Sequence, residues 1–62
     1  MYLISERERW LLERRRKGIL LKDIAEAIGC SIALLSYYEN GTKNLSAEKE
    51  KAYKEYIAKT PY

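Results

Sequence analysis

Sixty-two residues allow one domain, and a chain this short buries only about 60% of its unfolded surface, too little to enclose a deep active-site cleft. There is no histidine, a single cysteine, and no Asp, Glu or Cys cluster at metal-ligand spacing, so catalysis through an imidazole and a metal centre both lack their residues. A net charge of +3 favours an acidic partner, and no apolar run is long enough to span a bilayer. These bounds describe a binding module rather than an enzyme, with no cofactor, no metal and no small-molecule substrate.

In chain order, Met1-Tyr2-Leu3-Ile4 is apolar, and Tyr2, Leu3 and Ile4 are expected on the core or against the last helix. Ser5-Glu6-Arg7-Glu8 has the Ser-x-x-Glu form of a capping box, which predicts a first helix over about 5–17 with Gly18 as its terminator. Its apolar stripe is narrow, and Trp10, the largest member, is the expected anchor of the core. The run Arg14, Arg15, Arg16, Lys17 sits where cations complement a helix C-terminus. Phosphate contact by Arg15, Arg16 and Lys17 is the alternative reading.

Leu21, Ile24, Ala25 and Ile28 recur at the spacing of a second helix over 21–28 with one buried face. Gly29 then suits the positive φ that closes a helix, and Ser31 suits the N-cap of the next, predicted over 32–39. Two short helices joined by a three-residue turn make a helix-turn-helix. Cys30, inside that turn, reads as a reduced core-filling thiol. Asn40-Gly41 is a turn former, and Thr42-Lys43-Asn44 continues as a short polar loop. Ser46 is expected to cap a last helix over 46–58, with Glu48 and Glu50 in its first turn, Ala52, Tyr53, Tyr56 and Ile57 facing the core, and Thr60-Pro61 as its stop.

Residues 18–46 resemble, without a gap, the helix-turn-helix of the Cro and phage-repressor type regulators, the Xre family. The matching positions are Gly18, Asp23-Ile24-Ala25, Ile28-Gly29, Ser31, Leu35-Ser36 and Glu39-Asn40-Gly41. The resemblance implies an all-α, lambda-repressor-like body of four helices, five being the variant common among relatives, with residues 1–62 forming a single DNA-binding domain. It also implies a transcriptional regulator of the bacterial cytoplasm, encoded by a bacterium, a phage or another mobile element. Its partner would be an operator in double-stranded DNA, bound through the major groove by a homodimer.

Mapped residue by residue, the resemblance makes 32–39 the recognition helix. Ile32, Ala33, Ser36 and Tyr37 would face base edges, Leu35 and Tyr38 would face inward, and Leu34 would lie at the boundary. Phosphate contacts would come from Leu21 and Lys22 at the start of the second helix, from Ser31, and from Asn40, Thr42, Lys43 and Asn44 in the loop. Relatives commonly carry Ser then Gln where this chain has Leu20 and Leu21, so only the backbone N–H groups there remain for a phosphate. Glu39 on the inner stripe needs a partner, because an unpaired buried charge costs several kcal/mol. In the family an arginine of the first helix supplies it, and Arg14 stands at that position.

The competing function is a protein-interaction module on the same fold, such as an antitoxin, an anti-repressor or a binder of the transcription machinery. The apolar Ile32-Ala33-Leu34 run and the Leu20-Leu21 pair motivate it. In addition, a four-helix body is expected to leave Tyr53, Tyr56, Ile57 or Tyr62 partly uncovered, with a second subunit as an obvious cover and helix capping by the tail alone as the competing account.

Overall fold

The computed structural model describes residues 5–61, so the expectations placed on Tyr2, Leu3, Ile4 and Tyr62 lie outside the described residues. Four helices follow one another: α1 (Glu6–Arg16), α2 (Leu21–Ile28), α3 (Ile32–Glu39) and α4 (Ala47–Lys59). The described residues contain no strand, which makes the fold all-α.

Each boundary has a local cause. At α1, the Glu8 N–H donates to Ser5 Oγ at 3.1 Å while the Ser5 N–H reaches Glu8 Oε1 at 3.4 Å, the reciprocal capping box. Its far end closes through Gly18 at φ +69°, which lets the Gly18 and Ile19 N–H groups return to the carbonyls of Arg15 and Arg14, each at 3.1 Å. That reversal also turns Ile19 into the core. Gly29, at φ +74°, closes α2 the same way, with its own N–H and that of Cys30 both meeting Ala25 O. Ser31 and Ser46 accept from the N–H groups of Leu34 and Lys49, capping α3 and α4. Leu20 gives α2 no side-chain cap.

The interior consists of Ile19, Ile24, Ala25, Leu35, Tyr38, Tyr53 and Ile57. Trp10 is therefore not the anchor expected of it: α1 buries no residue completely, and Trp10 packs only partly against the cluster. The large interior groups are two tyrosines, Tyr38 and Tyr53, set edge-to-face with centroids 5.3 Å apart. They can occupy the core because each phenol finds a carboxylate. Tyr38 OH donates to Glu50 at 2.7 Å and Tyr53 OH to Glu39 at 2.6 Å. No side-chain N or O atom is left buried without a partner among the described residues.

Two expectations about the surface change as well. Tyr53 and Ile57 are fully buried within the four helices, and Tyr56 is partly buried, so neither Tyr53 nor Ile57 waits for a second subunit to cover it. Lys17, rather than standing free for a phosphate, donates through Nζ to the Ile57 carbonyl at 2.7 Å and satisfies the C-terminal end of α4. Arg16 forms an ion pair with Glu13 at 2.6 Å on the same helix.

Candidate nucleic-acid interface

The helix α3 is held by one face and offers the other. Leu35 and Tyr38 are sunk in the core, while Ile32 is 51% exposed, Tyr37 is 46% exposed and Ala33 is open to solvent. Ser36 is half-buried between these faces, as is Leu34. The turn at Gly29-Cys30-Ser31 packs α3 against α2.

At its last residue α3 is fastened by a network. Arg14 meets Glu39 with two parallel bonds, Nε to Oε2 at 2.7 Å and Nη2 to Oε1 at 3.1 Å, and Tyr53 OH adds a third on Oε2. The remaining Arg14 nitrogen, Nη1, donates to the Ile19 carbonyl at 2.7 Å. Glu39 is only 8% exposed, so this carboxylate is a buried charge whose oxygens are all engaged. One side chain thereby ties α1, α3 and α4 together at the end of α3. Burial and the Glu39 carboxylate push the Tyr53 hydroxyl well above the usual tyrosine pKa, and burial with the Glu50 carboxylate pushes Tyr38 up to about 12.

The loop after α3 leaves Asn40, Thr42, Lys43 and Asn44 exposed. Its Lys43 ammonium lies over the Tyr37 ring, 5.3 Å from the centroid, so the loop and the outer face of α3 meet there. The other two elements contribute less directly. Leu21 packs its side chain partly against the core, which leaves only its backbone N–H for a ligand, and Lys22 beside it is exposed. Ser31 spends its oxygen on capping α3 and keeps one hydroxyl proton to donate. No hydrogen bond or ion pair among the described residues joins Leu21 or Lys22 to α3 or its loop.

Two residues near this surface carry no signal of their role in the sequence. Arg7, on α1, donates to Asn44 Oδ1 at 2.8 Å and to the Lys43 carbonyl at 3.4 Å, with its guanidinium 4.2 Å from the centre of the Tyr38 ring. Lys49, on α4, donates to the Gly29 carbonyl at 2.9 Å and satisfies the end of α2 beside the turn. Both contacts join segments far apart in the chain, where periodicity and capping rules have no reach.

A family model described as helix-turn-helix matches residues 11–52. The chain belongs to the Xre family of Cro and phage-repressor type helix-turn-helix proteins. No curated protein and no solved structure matches it. As an Xre-family protein it is a DNA-binding regulator, from a family of regulatory domains rather than of enzymes. Among the described residues no group of His, Cys, Asp or Glu could hold a metal ion, and no helix is long and apolar enough to cross a membrane.

Proposed function

We propose that this Xre-family protein is a small Cro-like repressor that binds operator DNA through α3 and acts by occupancy, covering a promoter or a competing operator. The observation that carries the reading is the division of α3 into a buried stripe and an open one. Ile32, Ala33, Ser36 and Tyr37 stand outside the core, where a helix laid in a major groove meets base edges. Arg, Asn and Gln, the usual bidentate readers, are missing from this face. Ile32 and Ala33 offer apolar contact to thymine methyl groups, and the hydroxyls of Ser36 and Tyr37 one hydrogen bond each. Specificity then comes from thymine-containing steps and from DNA shape.

Register and affinity come from the backbone. Lys22 and the N–H groups at the start of α2, the Ser31 hydroxyl, and Asn40, Thr42, Lys43 and Asn44 supply the phosphate contacts in this reading. Residues 1–62 act as one DNA-binding domain, and two copies bind together in a bacterial cytoplasm with their recognition helices about 34–36 Å apart, one helical turn of DNA.

A second reading, a protein-interaction module, draws on Leu20, 56% exposed, and on Ile32, both apolar and open. Salt separates the two. Binding to duplex DNA should weaken steeply as salt rises, log K falling against log salt by about 0.9 per phosphate neutralised. Lys43→Ala should make that slope shallower by about one and weaken all sequences alike. A partner held by Leu20 and Ile32 would show little salt dependence, and that result would decide against DNA.

A further inference from the structure

The hydrogen bonds of Arg7 go to the loop after α3, while its guanidinium rests on a ring of α3 itself. Its guanidinium is a donor only, so the Asn44 amide must turn its oxygen toward Arg7, 2.8 Å from Nη2. The Asn44 NH2 group is then left to other partners, on a loop residue open to solvent, and has no hydrogen-bond acceptor among the described residues. A second arm of the same fork takes the Lys43 carbonyl at 3.4 Å, which anchors the backbone of the residue whose ammonium rests over Tyr37. The guanidinium is itself held by the Tyr38 ring, a fixed part of the core. A chain of contacts therefore runs from the interior through Arg7 to the two loop residues beside the open face of α3.

We propose that Arg7 is a positioning residue for backbone contact: it holds residues 42–44 so that the Asn44 NH2 and the Lys43 ammonium meet DNA phosphates without first being ordered. The inference rests on the DNA reading above and adds the device that sets the loop. An unanchored exposed loop would lose conformational freedom on binding, and Arg7 removes that cost in advance. Its own charge is not the agent, since the fork faces the loop and the stem is partly buried.

The test measures duplex affinity of Arg7→Ala, Arg7→Lys, Asn44→Ala and the Arg7→Ala/Asn44→Ala double variant, at a temperature where circular dichroism shows each folded. Arg7→Ala should weaken a strong and a weak site equally, by about tenfold, the size of one charge-assisted hydrogen bond. The double variant should bind scarcely worse than Arg7→Ala alone, and amide exchange at residues 42–44 should quicken in the free protein. Arg7→Lys keeps the charge and an aliphatic stem but not the fork, so it should remain weak. It also carries the test if Arg7→Ala fails to fold. Full rescue by lysine, unchanged affinity in Arg7→Ala, or additive losses in the double variant would each overturn the role of Arg7 while leaving DNA binding intact. Wild-type protein that binds no duplex at low salt would overturn both.

Discussion

Arg14→Ala and Glu39→Ala should each destabilise the domain by about 3–5 kcal/mol, because either leaves the other charge buried and unpaired. The side chains are 12% and 6% exposed, so the pair is largely shielded from water. Sixty-two residues at roughly 0.05–0.15 kcal/mol each hold about 3–9 kcal/mol in total, so either loss removes at least about a third of it. The two losses should not add. Once Arg14 is removed, Glu39 is already without its cation, so the double variant should unfold near the weaker single one. Tyr53→Phe deletes only the third bond on the carboxylate and should cost less, about 1.5–3 kcal/mol. Urea unfolding followed by circular dichroism gives all four values. Urea midpoints close to wild type in both single variants would refute a structural role for the pair.

Alkaline pH should unfold the protein through its two core tyrosines. Tyr38 and Tyr53 donate to Glu50 and Glu39, so ionising either would bring a phenolate against a carboxylate with no proton between them. Arg7 beside Tyr38 and Arg14 beside Tyr53 offset this only in part. Below pH 10 both phenols keep their protons, folded or unfolded, and their contribution is complete. Between pH 10 and about 12 the unfolded chain releases the Tyr38 proton while the folded one retains it. Stability must then fall with rising pH, by about 1.4 kcal/mol per unit, or about 2–3 kcal/mol for Tyr38 across the window. Tyr53 is raised too, from the same starting value, so its loss adds to this. In a titration followed by tyrosinate absorbance, these two rings should ionise only as circular dichroism is lost. Early ionisation of every tyrosine in a still-folded protein would contradict the arrangement of the core.

How far the chain could be read in advance follows the range of the forces involved. Helices were legible wherever a local signal existed: Ser5 with Glu8 at α1, the Gly29 and Ser31 turn before α3, Ser46 before α4. The interior was less so. Trp10 is the natural anchor by size, yet the sites of greatest burial go to Tyr38 and Tyr53, whose phenols reach the carboxylates of Glu50 and Glu39. Likewise, Tyr53 and Ile57 needed no cover beyond the four helices. On α3, the residue types of the outer face are readable from helical spacing. Arg7 was not, because its bonds to Lys43 and Asn44 span more than thirty residues and depend on a loop geometry that no local pattern encodes. Nor did the run ending at Lys17 announce that its last member reaches the end of α4.

If the open face of α3 reads DNA, selection of duplexes from a random pool will reveal it. Wild-type protein should enrich thymine-containing half-sites repeated about one helical turn apart. Ser36→Ala or Tyr37→Ala should change which sequences win, while Lys43→Ala should lower recovery without changing the winners. A wild-type pool that stays random, or identical winners from all four proteins, would contradict it.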